Sequence, residues 1–415
     1  MIDQAVYRKV AQKIDSFRKD MIEFQKSITA IRALSPTSGG EGEWDKVAWI
    51  KAFLQKRGLN RIEQIDAPDA RAKMGKRPSL IVRIPGKSHQ RTVWIMAHTD
   101  VVPEGDLKLW ETDPFEVVEK DGKLFGRGTE DNQQSLTSGV FTALAFHELN
   151  IQPEYDLALL LVADEETGSE FGLSYILKHH ADMFGKDDII LVPDAGEPDS
   201  SMIEVAEKGI VWIKFVTKGK QCHASLPGQG INAFRAASNL VVRLAKLYEI
   251  FDARSDVFAP PTSTFEPTKK EANVPNVNTI PGEDVFYLDC RLLPEYRVEQ
   301  LFSEIRKICD GVEKEFGVSI EYETTQKEDA APATPVEAPV VQKLKHGIKQ
   351  VYNVDAKPMG LGGGTVAAVF RRAGLPAAVW STIADVCHQP NEYCVIDNMV
   401  NDSKVFAHVC LQKDE

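Results

Sequence analysis

Five short segments of the chain carry side chains that could bind metal ions or move protons. They are His98-Thr99-Asp100, Asp131, Glu165-Glu166, Asp194 and His388. Two imidazoles and three or four carboxylates match the donors that zinc takes, and two zinc ions about 3.5–4 Å apart can hold a shared hydroxide if one carboxylate bridges them. Taken singly, these residues have simpler interpretations, such as a histidine inside the core or an aspartate that caps a helix.

The placement of the segments along the chain favours a shared site. Short apolar runs predict buried strands at 92–97, 157–163, 189–192 and 377–380. Four of the five segments lie just past the carboxyl end of one of these strands, and Asp131 closes a glycine-containing turn ahead of a predicted helix. Ligands of open parallel sheets bind at that edge, because the loops that follow the strands converge there. The sequence therefore predicts a two-metal hydrolytic centre at one edge of a sheet.

The elements that must position this centre form an α/β body. The predicted strands alternate with helix-like segments, which indicates a mostly parallel sheet flanked by helices. Apolar residues at three- and four-residue steps from Val6 to Ile28 predict one amphipathic helix packed on that body. We predict a catalytic domain of residues 1–207 and 328–415.

A smaller α+β domain interrupts this body between residues 208 and 327. Strands are predicted at 210–217 and 284–291, helices at 232–251 and 298–316, and a turn-rich segment at 260–281. The Ala- and Pro-rich residues 329–340 are typical of a return linker, and Pro335 is predicted in the first turn of the next helix.

Composition excludes several classes of partner. The formal net charge of −12 argues against nucleic acid or an anionic membrane surface, since both attract basic patches. No signal peptide or membrane span is recognisable, so we expect a cytoplasmic protein. The 6 cysteines show no CxxC spacing, so neither a ribbon-type zinc site nor a redox pair is indicated.

Eight motifs in order resemble the co-catalytic zinc peptidases and deacylases, the family of aminoacylase, acetylornithine deacetylase, succinyl-diaminopimelate desuccinylase, carnosinase and carboxypeptidase G. They are MAHTDVVP, GRGTEDN, ADEETGS, PDAGE, GKQCHASLPGQGINA, NVNTIPG with DCR, GLGGGT and CHQPNEY. The resemblance covers nearly the whole chain after the first helix. It implies a ferredoxin-like lid and dimerisation domain, a homodimer, and two Zn²⁺ per subunit, with Co²⁺ or Mn²⁺ as possible replacements.

The resemblance also implies a role for each residue of the centre. His98 and Asp194 resemble the ligands of one metal, Glu166 and His388 those of the other, and Asp131 the bridge between them. Glu165 resembles the general base, which would take a proton from the attacking water and hand it to the leaving nitrogen. Spacing alone does not tell which of the two adjacent glutamates binds metal. Asp100 resembles the carboxylate that orients a ligating imidazole.

The substrate-handling residues are also implied by the resemblance. His223 resembles the lid histidine that stabilises the developing oxyanion, often in the neighbouring subunit. Asn278 and Arg291 resemble the pair that grips a substrate carboxylate, although a structural salt bridge is an equally simple role for Arg291. Gly363, Gly364 and Thr365 belong to a glycine-rich segment without the lysine of a phosphate loop, which indicates a backbone wall beside the substrate.

The predicted activity is metal-dependent hydrolysis of a linear amide bond by a bridging hydroxide and a glutamate base. The substrate is expected to be an N-acyl amino acid or a short peptide with a free carboxylate. A dipeptidase or carboxypeptidase as the main activity stays open, because the same residues serve both. A catalytically silent metal-binding scaffold should lack the base or a ligand, and this chain keeps them all. A serine hydrolase is disfavoured because no GxSxG segment is present.

Overall fold

The computed structural model describes residues 2–414, which form two compact units. Unit 1 contains the described residues up to Val205, together with Thr334–Met359 and the residues from Thr365 onward. Unit 2 contains Ala206–Ala333 and Gly360–Gly364. The domain limits at 208 and 327 stay a prediction.

Strands and helices alternate along most of the chain. In chain order the strands are β1 (Ile62–Pro68), β2 (Lys76–Ile84), β3 (Ser88–His98), β4 (Val118–Lys120), β5 (Lys123–Phe125), β6 (Tyr155–Val162), β7 (Ile189–Gly196), β8 (Met202–Glu207), β9 (Gly209–Lys218), β10 (Cys222–His223), β11 (Thr264–Lys270), β12 (Thr279–Ile280), β13 (Glu283–Leu292), β14 (Ser319–Glu328), β15 (Lys357–Leu361), β16 (Ala377–Ser381) and β17 (Tyr393–Val395). The helices are α1 (Gln4–Ser16), α2 (Arg18–Ala30), α3 (Trp44–Lys56), α4 (Gln133–Leu149), α5 (Leu173–His179), α6 (Ala233–Leu244), α7 (Leu247–Ile250), α8 (Val298–Phe316), α9 (Pro339–Tyr352), α10 (Ala367–Arg372) and α11 (Ile396–Leu411).

The larger sheet is mixed, with a parallel centre. Its strand order is β1-β2-β6-β3-β7-β16-β8-β15. Neighbours among β6, β3, β7 and β16 are parallel, whereas β2 and β8 run antiparallel to β6 and β16. These four parallel strands are the four that the apolar runs predict, so the α/β prediction is confirmed. Because they are parallel and adjacent, their carboxyl ends meet at one edge of the sheet.

Helices cover the faces of this sheet. The first fourteen residues of α4, 133–146, are all buried, so α4 is a core helix and not an amphipathic surface helix. The single N-terminal helix predicted from 6 to 28 is wrong: α1 and α2 are separate helices that meet at Phe17. The Phe17 ring is buried and packs edge-on against Phe141 of α4, with ring centroids 5.3 Å apart.

Unit 2 contains a four-stranded antiparallel sheet with the order β11-β13-β9-β14. The chain order β9-α6-β11-β13-α8-β14 is the split βαβ arrangement of ferredoxin-like folds, as predicted. The sequence did not predict β11 and β14, the two edge strands. Both are rich in Lys, Glu and Thr, and β11 carries Pro267 at a bulge, features that edge strands tolerate and that hide them from an apolar-run search.

The return segment differs in one detail from the prediction. Pro335 is not in a helix; α9 begins at Pro339. Thr334 instead ties the segment to the larger sheet, since its hydroxyl donates to the carbonyl of Ala377 at 2.6 Å and its N–H donates to the carbonyl of Val205 at 2.8 Å. Within residues 2–414, no helix has the length and apolar character needed to cross a bilayer.

Candidate metal centre

The five predicted segments meet at the carboxyl edge of the parallel strands. His98 is the last residue of β3, and Asp194 lies near the end of β7, the strand beside it. Glu165 and Glu166 form a short turn of 3₁₀ helix just after β6, on the other side of β3. Asp131 lies just ahead of α4. His388 comes from residues 382–392, a loop after β16 that contains neither helix nor strand.

The side chains form two triads that share Asp131. The first triad is His98, Asp131 and Asp194, and the second is Asp131, Glu166 and His388; in each, one donor atom from every residue lies within 4.8 Å of the others. His98 Nε2 is 3.0 Å from Asp131 Oδ1 and 3.4 Å from Asp194 Oδ1. His388 Nε2 is 3.1 Å both from Asp131 Oδ2 and from Glu166 Oε2. Each oxygen of Asp131 therefore faces a different histidine.

The donor set fits a pair of divalent cations. Each triad supplies one imidazole nitrogen and carboxylate oxygens from two residues, which suits zinc and related divalent ions. Glu166 Oε1 is buried and has no hydrogen-bond partner among residues 2–414. A buried carboxylate oxygen without a partner is costly unless a cation or proton donor compensates it. The geometry therefore supplies two adjacent candidate cation sites.

The crowded carboxylates and imidazoles of the two triads shift one another's pKa values. Hydrogen bonds with Asp131 and Glu166 raise the pKa of His388 to about 10. Burial lowers the pKa of His98, but hydrogen bonds with surrounding aspartates outweigh that effect and raise it. Burial by itself raises the pKa of Asp131, yet hydrogen bonds with the two histidines hold it below its ordinary value. The centre concentrates negative charge, which favours cations.

Glu165 lies beside the triads without belonging to either. Its Oε2 is 3.9 Å from His98 Nε2. Burial, followed by the charge of Asp194, raises the pKa of Glu165 well above its ordinary value. The structure thus distinguishes the two adjacent glutamates: Glu166 faces His388, and Glu165 faces His98.

Asp100 links the first triad to both glutamates. Its Oδ1 and Oδ2 accept the backbone N–H groups of Glu165 and Glu166, each at 3.1 Å. His98 Nδ1 lies 3.0 Å from the backbone carbonyl of Asp100 and 3.3 Å from its Oδ1. One buried carboxylate therefore fixes the imidazole and the turn that carries the two glutamates.

Sequence reasoning missed a group that we call the loop clamp, namely Arg127, Glu130 and Glu392. All three are buried, and they connect the loop of Asp131 with the loop of His388. Glu392 Oε2 accepts from Arg127 Nη1 at 2.6 Å, and its Oε1 accepts from the N–H of Asp131 at 3.1 Å. All three lie inside motifs quoted above, GRGTEDN and CHQPNEY, but a single sequence gives no sign that the two motifs touch.

A second missed group is a buried ion cluster behind the two glutamates. The Arg77 guanidinium donates to both carboxylate oxygens of Glu43 and lies 3.2 Å from Asp164 Oδ1. Asp164 directly precedes Glu165 and has a left-handed backbone with φ of 62°. The only sequence signal is an arginine at the start of a buried strand, which predicts a paired charge without naming the partner.

Unit 2 contains most of the predicted substrate-handling residues. His223 and Asn278 lie together at the end of the β10–β12 pair, where the N–H of Ala224 donates to the Asn278 carbonyl at 2.8 Å. Arg291 on β13 forms a two-pronged ion pair with Asp289, and its Nη1 donates to the Gly362 carbonyl at 2.7 Å.

The glycine-rich segment is divided between the two units. Gly363 and Gly364 belong to unit 2, and Thr365 to unit 1. A side chain added at Gly363 would meet no atom within 4 Å. The predicted roles of these residues stay predictions.

A family model and several known proteins match most of this chain. The model of peptidase family M20/M25/M40 matches residues 94–412. An uncharacterized metallohydrolase of Methanocaldococcus jannaschii is 40% identical over 94% of this chain and 98% of that protein. The succinyl-diaminopimelate desuccinylase of Roseobacter denitrificans is 27% identical over 80% of this chain and 85% of that protein.

Solved structures share the fold across nearly the whole chain. Human carnosine dipeptidase 1 aligns with a TM-score of 0.72 at 17% identity, covering 99% of both chains. A Bacillus subtilis protein described as a dinuclear metal binding peptidase from the M20 family aligns with a TM-score of 0.66 at 15% identity, covering 96% of this chain and 98% of that one.

Proposed function

Because this chain belongs to peptidase family M20/M25/M40 and is a metal-dependent hydrolase of amide bonds, we propose that it removes the acyl group from an N-acyl amino acid. The observation that carries this proposal is the pair of triads sharing Asp131, with Glu165 beside them and outside both. That arrangement offers two cation sites and one carboxylate left over to move protons.

The proposed ligands follow the two triads. His98 and Asp194 would hold one cation, Glu166 and His388 would hold the other, and Asp131 would contribute to both. We propose Zn²⁺ as the native ion, with Co²⁺ or Mn²⁺ able to replace it, since nitrogen and oxygen donors accept several divalent ions. Two such cations would lower the pKa of a water molecule between them and polarise the amide carbonyl.

The protein groups perform the proton transfers. Glu165 takes the proton of the attacking water and later donates it to the leaving nitrogen, a role that suits a carboxylate beside the two triads that belongs to neither. Asp100 holds the backbone of Glu165 and the imidazole of His98, so it positions the base relative to the first triad. His223 of unit 2 is proposed to stabilise the developing oxyanion.

Arg291 and Asn278 are proposed to bind the substrate carboxylate. A guanidinium has five N–H donors, and among the described residues Arg291 uses three, two toward Asp289 and one toward the Gly362 carbonyl. Two donors remain for a ligand. Asp289 therefore orients the guanidinium, and the carbonyl of the glycine-rich segment fixes its other end. Gly363, Gly364 and Thr365 are proposed to form the backbone wall beside the substrate.

The acyl substrate is favoured over a peptide by sequence similarity. Several relatives at 24–27% identity are succinyl-diaminopimelate desuccinylases, which remove a succinyl group. The similarity to carnosine dipeptidase is one of fold, at 17% identity. We therefore propose an N-succinyl or N-acetyl amino acid with a free carboxylate as the substrate.

Two further features are proposed for the protein as a whole. Unit 2 presents two edge strands, β11 and β14, and exposed apolar side chains on α6, Phe234 and Val242, which suit a homodimer contact. Light scattering would measure the mass of the protein in solution and so its oligomeric state.

All 6 cysteines are free thiols, which supports a cytoplasmic location.

Substitution of the proposed base tests the mechanism. In the Glu165→Gln variant, turnover should fall by about 10²–10⁴-fold while two cations per chain remain bound, because Glu165 moves protons and does not ligate. Exposed Glu170, five residues further along, offers a matched control: Glu170→Gln should keep wild-type turnover. Undiminished turnover in Glu165→Gln would refute the assignment.

A substrate panel tests the specificity. N-succinyl and N-acetyl amino acids should be hydrolysed with higher kcat/KM than dipeptides, and amidation of the free carboxylate should raise KM because Arg291 loses its ligand. Arg291→Lys should reproduce that rise in KM. A preference for dipeptides over all acylated amino acids would replace the deacylase proposal with a dipeptidase.

A further inference from the structure

We propose that Glu130 and Glu392, the two glutamates of the loop clamp, set the affinity of the second triad for its cation, and that the first triad, which shares only Asp131 with the second, depends on them less. This inference rests on the two-cation function proposed above. Glu130 and Glu392 contact no substrate and ligate no cation; they are positioning residues that act through His388 and Asp131.

The clamp is reciprocal, because each glutamate holds the loop to which the other belongs. Glu130 lies next to Asp131, and its two oxygens accept the N–H groups of Ala384 at 2.5 Å and Val386 at 2.7 Å, just ahead of His388. Glu392 lies four residues after His388, and it accepts N–H groups from the loop of Asp131.

The Arg127 guanidinium connects Glu392 with the backbone of His388. Arg127 donates from Nη1 to Glu392 Oε2 at 2.6 Å and from Nη2 to the carbonyl of His388 at 3.3 Å. The N–H of Gly128 adds a further bond to Glu392 Oε2 at 2.9 Å. Since Arg127, Glu130 and Glu392 are 3% exposed or less, these charge-assisted bonds lie out of competition with water.

The second triad depends on this clamp because no regular element carries His388. The His388 side chain is about half exposed, its backbone has φ of 62°, and its loop has no helix or strand. Asp131 and His388 are 257 residues apart in the sequence, so only tertiary contacts fix the distance of 3.1 Å between Asp131 Oδ2 and His388 Nε2.

The first triad has independent support. His98 and Asp194 lie on β3 and β7, which are paired parallel strands of the sheet, and Asn132 donates to Asp194 Oδ1 at 2.8 Å. The His98 imidazole is fully buried and is held by Asp100. The sheet therefore carries two of the three residues of the first triad, whereas Asp131 and His388 of the second triad depend on the two loops and their clamp.

Replacement of Glu130 by glutamine distinguishes the support that the clamp gives to the second triad from the support that the sheet gives to the first. A glutamine side chain has one oxygen and one NH₂ group, so one of the two N–H groups, that of Ala384 or that of Val386, would face a donor. The loop of His388 should then shift relative to Asp131 and Glu166. Substitutions that disturb the support of a metal ligand typically weaken metal binding 10–100-fold.

The experiment is a Zn²⁺ titration of metal-free protein in competition with a chromophoric chelator. Wild type should bind in two steps, and Glu130→Gln should keep the first step while the second weakens 10–100-fold. Glu392→Gln, which disturbs the clamp from the other loop, should weaken the second step at least as much. Circular dichroism and urea unfolding of each metal-free variant would confirm that it is folded.

Glu204→Gln is the matched control. Glu204 of β8 is a fully buried glutamate whose two carboxylate oxygens both accept from Arg371 Nη2, at 2.8 and 2.6 Å, so its substitution also breaks a buried charge pair. That variant should be destabilised toward urea yet retain both Zn²⁺ steps. An equal loss of the second step in Glu204→Gln would show a general effect of destabilisation and overturn the clamp proposal.

The remaining outcomes separate the two proposals. A folded Glu130→Gln protein with the wild-type second step would overturn the clamp and leave the proposed function intact. Binding of fewer than two Zn²⁺ per wild-type chain would overturn the two-cation function itself, and the clamp with it, whereas two Zn²⁺ of equal affinity would overturn the clamp alone.

Discussion

Loss of Arg77 should be among the most destabilising single changes in this protein. Its guanidinium is fully buried and lies against the carboxylates of Glu43 and Asp164, which are also buried. Removing one partner of a buried ion pair typically costs 3–5 kcal/mol, because the remaining charge stays uncompensated in a medium of low dielectric constant. In the Arg77→Met variant three buried carboxylates, those of Glu43, Asp69 and Asp164, lose their shared cation, so the free energy of unfolding should fall by about 3–5 kcal/mol.

The loss of stability in Arg77→Met should depend on pH through the pKa of Glu43. Burial raises the pKa of Glu43 above 4.5, and the hydrogen bond from Arg77 counteracts the rise. Without Arg77 the pKa of Glu43 rises further, so the folded state holds a proton that the unfolded state has released. Stability then falls as pH increases from about 4.5 toward the folded-state pKa. The deficit of Arg77→Met relative to wild type should therefore be larger at pH 8 than at pH 5.

Urea unfolding of the metal-free proteins, followed by circular dichroism at both pH values, measures these effects. The double variant Arg77→Met with Glu43→Gln should be destabilised by less than the sum of the single variants, since the carboxylate that accepts two hydrogen bonds from Arg77 no longer carries a charge. Arg18 is the control: it pairs with Asp397 and both side chains are exposed, by 43% and 71%, so Arg18→Met should leave stability nearly unchanged. A loss below about 1 kcal/mol for Arg77→Met, or strictly additive single effects, would refute the reasoning.

Three other predictions concern the centre and the sheet that carries it. Removal of the metal ions by a chelator should abolish turnover and lower the melting temperature, since a ligand at 100 times its Kd stabilises the folded state by about 2.7 kcal/mol. Added Zn²⁺ should restore both. Turnover that persists in the chelator would contradict this prediction. Asp100→Asn should reduce metal affinity or kcat by about 10–100-fold, because one oxygen that accepts the N–H of Glu165 or Glu166 becomes a donor. Gly196→Ala should lower the free energy of unfolding by about 1–3 kcal/mol, because the added Cβ would lie 1.8 Å from the Ser381 carbonyl of the neighbouring strand. A free energy of unfolding equal to that of the wild type would contradict this expectation.

The sequence alone determined the elements whose patterns are local. Four apolar runs identified the parallel strands of the sheet centre, and the polar residues after them identified the edge where the candidate centre lies. Both inferences succeed because burial on two faces demands continuous apolar side chains and because parallel strands share a direction. The ferredoxin-like unit followed from resemblance, while its polar edge strands β11 and β14 escaped the search.

The tertiary structure alone decided which distant groups touch. That Asp131 faces both histidines, that Glu166 and not Glu165 faces His388, and that Glu130 and Glu392 bind each other's loops are all contacts between residues far apart in the chain. Periodicity and spacing describe only neighbours along the backbone. Pairing between loops is set by how the sheet and helices pack, since only that packing fixes the positions of the loop ends.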